Sequence, residues 1–516
     1  MDDNEIGINA ILNWKQKKYI HFDFPLSESE RDKICTRIKN DPQKELAEHR
    51  YLPFISFSIT FHKYNSKDRR VKNKKRVISL SSHHDAIIYQ YYAAILNKYY
   101  DKYVNEHNID EVSVAYRSGH SQSNIDIAKE VFDFTVNSQK SWIIRGDFEG
   151  FFDNLNHNVL SAKVAKVLGG ELPLELKRML ISVMKYRVVT RDKLRNQLKS
   201  CEIETIFRHK YVTNSGGAYV PNLKDFGKLI KENKIRFSGK NRKGIPQGTA
   251  VSAVLANIYM IDLDQWLVQR VRDLNGIYRR YSDDFVIIIP KQNTEFSEVR
   301  DLCNEVIGIS QKRYFLTIEK HKTSFLDYSG MENNIRNYDL EKEQWKKGFF
   351  DYLGFVFDGI TVSLRPKSIY KFYYKGKRAV NRLITVEKDK VTIAKGISPE
   401  KFAEDYTVQR HINHEEKIEW RLANDYEKKR VASRLEYSKK MSLEQVRMIH
   451  KMTTIRYLST EVKKPRVSML GYAKRAQGIF ESNSPQYRVK ILEQVMTKLK
   501  QNQTRLGISR KDYRPK

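Results

Sequence analysis

The chain has 516 residues, of which 94 are Lys or Arg and 62 are Asp or Glu, so its formal net charge is +32. This length suffices for roughly three domains of ordinary size, and the 12 prolines and 23 glycines exclude a long low-complexity chain. The positive charge is spread along the whole sequence and favours a polyanionic partner such as nucleic acid.

Cysteine usage and the N-terminus narrow the class of protein further. Cys35, Cys201 and Cys303 lie far apart, which excludes a CxxC zinc site and a disulfide framework and predicts a cytoplasmic protein with reduced thiols. The first residues contain no basic segment followed by an apolar run, so we expect no secretory signal. No apolar run approaches the ~20 residues that cross a bilayer, so we expect no membrane partner.

The N-terminal part is predicted to mix strands and helices. Phe54–Phe61 has the composition of a strand, and a basic turn is expected at Lys67–Arg76. Ser81–Ser82 offers N-cap chemistry, so a helix is predicted to start there. His83 and His84 are interpreted as surface residues at this helix start and not as metal ligands.

The middle of the chain has the clearest pattern. Trp142–Ile144 predicts a short buried strand, and 190–243 is a polar, Lys-rich insertion expected to form a loop or small subdomain. Thr249–Trp266 has helical periodicity. Tyr278–Tyr281 and Phe285–Ile289 are predicted to be two strands joined by a very tight turn.

The C-terminal part, 370–516, lacks strand alternation and is rich in Lys, Arg, Glu and Gln. It predicts a bundle of basic helices with a boundary near Pro366. His411 and His414 form a motif that vaguely resembles a nuclease metal site, but a charged helix without nearby cysteines is the favoured interpretation.

Three acids lie at the ends of predicted buried strands. Asp147 directly follows the predicted buried strand, and Asp283–Asp284 occupy the tight turn. Adjacent carboxylates repel each other unless a cation neutralises them, and Mg²⁺ prefers such oxygen ligands. Nucleotidyl transfer uses two divalent ions ~4 Å apart, so these acids predict such a site, although each segment alone also fits an ordinary turn.

A glycine-containing loop precedes the Thr249–Trp266 helix, and alone it fits an ordinary loop before a helix as well as a binding loop. It reads Gly244-Ile-Pro-Gln247-Gly248, which brings backbone close to a ligand. The N-terminus of the following helix supplies a positive dipole that suits a phosphate or sugar.

In this order, the segments resemble the reverse transcriptase family. Asp147 lies in motif A, the Gln247 loop is motif B and the sequence Tyr-Ser-Asp-Asp at 281–284 is motif C. Four further segments extend the resemblance over roughly residues 50–365: Lys75–Ile78, Ala115–Ser121, Leu316–Phe325 and Tyr352–Phe355.

The resemblance implies an α+β right-hand polymerase fold with an RNA-directed DNA polymerase activity that makes cDNA. Fingers are expected at 1–140 and 165–243, and a palm with an antiparallel sheet at 141–164 and 244–365. A basic α-helical thumb and extension is expected at 366–516, where it would grip duplex backbone.

It also implies roles for single residues. Asp147, Asp283 and Asp284 would be the catalytic acids and, with the carbonyl of Phe148, would bind two Mg²⁺ ions or Mn²⁺ in their place. Lys322 would act as general acid toward pyrophosphate.

The nucleotide itself is expected to contact four further side chains. Lys75 and Arg76 would hold the triphosphate, Gln247 would contact the incoming nucleotide, and Phe152 would exclude a 2′-hydroxyl. A core position is the alternative for Phe152, whereas Phe151 is expected to point into the core.

The long basic C-terminus, with Leu470–Ala476, most resembles stand-alone, defence-associated (Abi-like) bacterial reverse transcriptases. That group implies antiphage defence, a non-coding RNA template, deoxynucleotide substrates, a DNA product and, for some members, homo-oligomers. Two alternatives stay open: a template-independent or protein-primed DNA polymerase on the same scaffold, and an RNA-binding scaffold without catalysis.

Overall fold

A computed structural model describes residues 2–17, 19–65, 70–117, 122–201, 217–318, 323–330, 335–339, 342–411, 418–462 and 468–511. The chain forms two compact units. The first unit comprises Met1–Asn124, Ser138–Asp327 and Asn337–Gln344, and the second comprises Ile125–Asn137, Tyr328–Arg336 and Trp345–Lys516.

Helices occur in both units. Before residue 320, the described helices are α1 (Asp3–Leu12), α2 (Glu28–Asn40), α3 (Pro42–Ala47), α4 (His83–Glu106), α5 (Asn124–Asn137), α6 (Phe151–Asn154), α7 (His157–Leu168), α8 (Leu174–Met184), α9 (Arg191–Lys199), α10 (Leu223–Lys231), α11 (Ala250–Tyr259), α12 (Ile261–Arg272) and α13 (Phe296–Tyr314). The later helices are α14 (Pro366–Ala394), α15 (Pro399–Glu404), α16 (Asp425–Lys440), α17 (Leu443–Thr453), α18 (Met469–Glu481) and α19 (Ile491–Lys511). A 3₁₀ turn spans Lys291–Asn293 and a π-helical turn spans Thr454–Leu458.

The strands form four sheets in the described part of the chain. In chain order they are β1 (Phe54–Asn65), β2 (Arg70–Leu80), β3 (Ser141–Asp147), β4 (Val188–Thr190), β5 (Ile277–Tyr281), β6 (Asp284–Pro290), β7 (Ser324–Tyr328), β8 (Arg336–Asp339), β9 (Gln344–Lys347), β10 (Phe350–Tyr352), β11 (Phe355–Phe357), β12 (Thr361–Leu364), β13 (Thr407–His411), β14 (Ile418–Leu422) and β15 (Arg488–Val489). The sheet orders are β2-β1-β4, β5-β6-β3-β7-β8-β9, β10-β11-β12-β15 and β13-β14.

The six-stranded sheet positions the candidate site. β3 pairs antiparallel with β6, and β6 pairs antiparallel with β5, as predicted for the palm. Phe285–Ile289 is an unbroken apolar run that is fully buried, because both faces of this central strand are covered. The tight turn between β5 and β6 consists of Ser282 and Asp283, which confirms the predicted hairpin.

The hairpin of β1 and β2 corrects one prediction. The expected basic turn at Lys67–Arg76 is wrong over most of its length, because β2 begins at Arg70 and pairs with β1 as far as Asn65. The rest of that turn lies outside the described residues. Lys75 and Arg76 therefore lie on a strand, and the pairing of β2 with β1 fixes the backbone from which their side chains extend.

The start of α4 confirms one prediction and corrects another. Ser82 is the N-cap and accepts a hydrogen bond from the backbone N–H of Asp85, in agreement with the predicted helix start. His83, however, is not a surface residue: it is fully buried and stacks on Tyr19 with ring centroids 4.4 Å apart.

Two other predicted elements differ in detail. The helix expected at Thr249–Trp266 is two helices, α11 and α12, which meet at Met260. The insertion at 190–243 contains α9 and α10, and these pack around a small apolar core that includes Phe22. The segment is therefore a small subdomain over its described residues.

The second unit is not purely helical, which corrects the expectation for 370–516. Strands β13 and β14 form a hairpin there, and β15 pairs in parallel with β12. Phe132 from α5 packs against Phe350, with ring centroids 5.1 Å apart, and against Phe480 at 6.1 Å. Helix α14 begins at the predicted boundary, with Pro366 in its first turn.

Over the residues that the structure describes, no helix combines the length and the apolarity needed to span a membrane. The division into fingers, palm and thumb stays a prediction.

Candidate active site

A cavity of about 1000 Å³ lies in the first unit at the end of β3. It gathers residues that are far apart in sequence, from β2, from the β5–β6 turn and from the loop before α11. Its lining includes seven of the residues predicted for catalysis or nucleotide binding: Lys75, Arg76, Asp147, Phe148, Phe152, Gln247 and Asp283.

Two strand ends bring the acids together. Asp147 is the last residue of β3 and stands in register with Asp284, the first residue of β6. The backbone N–H of Phe148 donates to the carbonyl oxygen of Asp283 at 3.1 Å, which ties the two segments at the cavity edge. Asp284 is exposed, and in the described part of the chain the lining contains Asp283 and not Asp284.

The electrostatics of Asp283 indicate a site for a cation. Burial raises the pKa of its carboxyl above the usual value, and the negative charge of Asp147 raises it further. A nearby positive ion would favour the charged form of both groups. The oxygen donors of these two aspartates fit Mg²⁺, which is usually held by one or two carboxylates together with substrate phosphates.

No larger metal-binding cluster of His, Cys, Asp and Glu occurs within the described ranges. His411 ends β13, and His414 lies outside the described residues.

The loop of Gln247 is anchored to the strand that carries Arg76. The backbone N–H of Ser79 on β2 donates to the carbonyl of Gln247 at 2.8 Å. A Cβ at Gly248 would lie 2.5 Å from the carbonyl oxygen of Ser79, and φ of Gly248 is +132°, so glycine is required. Thr249 then caps α11 by accepting from the N–H of Ser252.

The two neighbouring phenylalanines differ in exposure. Phe151 is 3% exposed and belongs to the hydrophobic core, with its ring 5.9 Å from that of Phe148. Phe152 is half-buried, and both rings contribute to the cavity wall. The burial of Phe151 agrees with its expected core position, while the orientation of the two rings and the role of Phe152 stay predictions.

Sequence reasoning assigned no role to two lining residues, Tyr116 and Asp153. Tyr116 is half-exposed with φ of +66°, and its ring lies 6.5 Å from that of Tyr281. Burial raises the pKa of Asp153. Tyr116 lies in Ala115–Ser121, one of the segments that resemble the reverse transcriptase family, and this position could have indicated that it lies near the site. Lys322, the expected general acid, lies outside the described residues.

Comparison with known proteins identifies the family to which the chain belongs. A family model described as "Reverse transcriptase (RNA-dependent DNA polymerase)" matches residues 62–357, more than half of the chain. A telomerase reverse transcriptase from Euplotes aediculatus is 26% identical over 150 residues, which cover 27% of this chain and 14% of that protein. One from Mus musculus is 24% identical over 156 residues, covering 28% of this chain and 13% of that protein. Each match thus spans a small part of a longer relative.

Among solved structures, an apo telomerase from Candida tropicalis has 10% sequence identity and a TM-score of 0.39, covering 98% of this chain and 70% of that chain. A Candida albicans telomerase in complex with a fragment of telomeric RNA has 12% identity and a TM-score of 0.37, covering 89% of this chain and 62% of that chain.

Proposed function

Because the chain belongs to the reverse transcriptase family, we propose that it is an RNA-directed DNA polymerase that makes cDNA by two-metal nucleotidyl transfer. It has the α+β, right-hand polymerase fold of that family. We assign the fingers to 1–140 and 165–243, the palm to 141–164 and 244–365, and the thumb with its extension to 366–516. The observation that carries the proposal is the cavity shared by Asp147, Asp283 and the predicted nucleotide-binding residues.

The acids are proposed to hold the metal ions. Asp147, Asp283, Asp284 and the carbonyl of Phe148 would bind two Mg²⁺, or Mn²⁺ in their place. When bound, the ions activate the primer hydroxyl and stabilise the leaving pyrophosphate. The raised pKa of Asp283 supports this role, because a carboxyl in such surroundings gains from a cation.

The nucleotide is proposed to lie between β2 and the β5–β6 turn. Lys75 and Arg76 would hold its triphosphate, Gln247 would contact it through a loop that β2 fixes in place, and Phe152 would exclude a 2′-hydroxyl. Lys322 would protonate the departing pyrophosphate. Lys75 and Arg76 line the same cavity as Asp147 and Asp283, so the triphosphate's negative charge would be neutralised by these basic residues and by the metal ions that the acids hold.

The polymer partner is proposed to be an RNA template, with a DNA product. One face of α14 supports a nucleic-acid interface in the second unit, since its side chains are exposed and alternate basic with aromatic character. No acidic residue occurs between Pro366 and Val386. We call this the basic–aromatic face and define it by Lys367, Tyr370, Lys371, Tyr374, Lys375 and Arg378.

Biologically, we propose a bacterial, defence-associated (Abi-like) enzyme that works in the cytoplasm with a non-coding RNA; a homo-oligomer, which some members of that group form, stays an expectation. The support is the long basic C-terminal region with Leu470–Ala476. Cells that express the intact locus should resist some phages, and Asp147→Ala should abolish this protection. Equal protection by the variant would instead favour an RNA-binding scaffold without catalysis.

A templated assay tests the activity. The purified chain with poly(rA), an oligo(dT) primer and Mg²⁺ should incorporate dTTP and reject dGTP, and Asp147→Ala should incorporate neither. Incorporation of every nucleotide regardless of template, or without a primer, would favour a template-independent or protein-primed polymerase.

A further inference from the structure

A buried ion pair lies beneath the β5–β6 turn. Arg280 of β5 and Asp264 of α12 are each 1% exposed. Nε of Arg280 donates to Oδ1 of Asp264 at 3.0 Å, and Nη2 donates to Oδ2 at 2.6 Å. Burial alone would lower the pKa of Arg280, but the Asp264 carboxylate outweighs it and raises the pKa above the usual value.

Stability is in general a weak reason for a buried ion pair. Taking two charges out of water is expensive, and replacing a buried ion pair by apolar residues of similar volume is often neutral or stabilising. The third nitrogen of the guanidinium, Nη1, does not bond to Asp264, and its partners indicate which other groups the pair holds in place.

That donor reaches the turn itself. Nη1 of Arg280 donates to the carbonyl oxygen of Ser282 at 3.0 Å. Ser282 has φ of +61°, a left-handed conformation that is unfavourable for a residue with a Cβ. The next carbonyl, that of Asp283, accepts from the N–H of Phe148. Both carbonyl groups that flank the Cα of Asp283 are therefore held by hydrogen bonds.

The same buried network extends to other walls of the cavity. Nη1 of Arg280 also lies 3.4 Å from Oδ1 of Asn257 on α11, and Nδ2 of Asn257 donates to the carbonyl of Ala115 at 2.8 Å. Ala115 precedes Tyr116, which lines the cavity. Tyr278 donates its hydroxyl to Asp264 at 2.9 Å, so the carboxylate that orients Arg280 is itself fixed.

We propose that Arg280 is a positioning residue for nucleotidyl transfer, oriented by Asp264, and that it holds the Ser282 carbonyl so that the carboxylate of Asp283 faces Asp147. This inference rests on the proposed polymerase function. It differs from a purely structural role in its expected effect: removal of the hydrogen bond to Ser282 should misplace Asp283 without unfolding the chain.

Two variants separate positioning from folding. Arg280→Lys keeps a positive charge beside Asp264 but loses the planar fork. The double variant Arg280→Met, Asp264→Leu removes both charges and leaves no unpaired one. The matched control is Arg279→Met, since Arg279 is the next residue of β5 and is 7% exposed, but donates to the carbonyl of Tyr278 and to Glu111.

The readouts are kcat, KM for the deoxynucleotide, the Mg²⁺ concentration that gives half-maximal activity, template affinity and thermal unfolding. Both Arg280 variants should lower kcat about tenfold to a hundredfold, the scale expected when a reacting group is misplaced by ~1 Å, and should need more Mg²⁺. Template affinity should stay unchanged, and the double variant should remain fully folded at the assay temperature, although the loss of the Tyr278–Asp264 hydrogen bond should lower its unfolding temperature. Arg279→Met should retain the parental kcat and Mg²⁺ requirement.

An active parent whose double variant keeps its kcat and Mg²⁺ requirement would overturn this inference alone. The inference would also be overturned if, in both Arg280 variants, the loss of activity were no larger than the loss of folded protein. An inactive parent chain would overturn the proposed function, and this inference with it.

Discussion

At the scale of single residues, the site holds two carboxylates, Asp147 and Asp283, that repel each other. Burial and the charge of Asp147 both raise the pKa of Asp283, so the ionised pair is unfavourable in the protein alone. The backbone nevertheless holds the turn in one geometry, through Phe148 and Arg280. Such a fixed pair of repelling carboxylates is expected at a cation site. If the turn could relax, the two carboxylates would move apart, and the cation would lose its ligands.

The sugar gate can be tested on neighbouring residues. Phe152→Ala should raise the use of ribonucleotides relative to deoxynucleotides, since it removes a half-buried ring from the cavity lining, where we propose that the sugar binds. Phe151→Ala should instead destabilise the fold, by about 3–5 kcal/mol for a buried phenylalanine. The measurement is the ratio of incorporation efficiencies for matched nucleotides. An altered ratio in the Phe151 variant alone would show that the two roles are exchanged.

At the scale of elements, the N-terminal segment is joined to the start of α4 by buried polar groups. The carboxylate of Asp23 accepts from the backbone N–H groups of His83 and His84, and Nε2 of His21 lies 3.2 Å from the carbonyl of Leu80 on β2. The strand that carries Arg76 is thereby tied to a cluster that responds to pH.

This cluster predicts acid sensitivity of folding. Burial lowers the pKa of His21 from 6.5 to about 4, so between these values the unfolded chain binds a proton that the folded chain does not. The free energy of unfolding should therefore decrease as the pH falls from 6.5 to 4, by about 3 kcal/mol from this residue. His21→Gln should flatten the measured dependence, and the half-buried His107 offers the control His107→Gln. Parallel curves for His21→Gln and the parent would contradict the prediction.

The basic–aromatic face of α14 makes a second prediction at this scale. Replacing Lys367, Lys371 and Lys375 by Gln should weaken binding of an RNA–DNA duplex. It should also reduce the slope of log affinity against log salt by up to about 0.9 for each phosphate that the face no longer neutralises. Removing the same charge from α16, with Lys429, Arg430 and Lys439 changed to Gln, is the control. Equal changes of slope in both triple variants would mean that overall charge, and not this face, governs binding.

The tyrosines of the same face can be tested separately. Tyr370 and Tyr374 are each 57% exposed, so Ala at both positions should weaken nucleic-acid binding by about 1–3 kcal/mol for each ring that stacks, with little change in the salt slope. Affinity measured at two salt concentrations checks this. Unchanged affinity at both concentrations would remove the rings from the interface.

At the scale of the whole molecule, local features could be predicted from the sequence and distant contacts could not. The cap at Ser82, the β5–β6 hairpin and the strand before Asp147 follow from residue types within a few positions of each other. The burial of His83 and the packing of Gly248 on Ser79 join segments far apart in sequence, and the pair of Arg280 with Asp264 joins a strand to the preceding helix, 16 positions away. The helix expected at Thr249–Trp266 breaks at Met260, although its apolar pattern continues across the break.

The second unit shows the same limit. Its composition suggested helices alone because short strands such as β15 leave almost no alternation to detect. The match to the family ends at residue 357, and β13, β14 and β15 all lie beyond that residue.

The most direct test of the account compares Asp147→Asn and Asp283→Asn with the parent chain in primer extension on a defined RNA template. Both variants should lose synthesis by on the order of a hundredfold to a thousandfold or more, while RNA affinity stays unchanged. Thermal unfolding should stay equal or shift upward, because the repulsion between two partly buried carboxylates has been removed. Template-directed synthesis at the parental rate in both variants would contradict the assignment of these acids to catalysis.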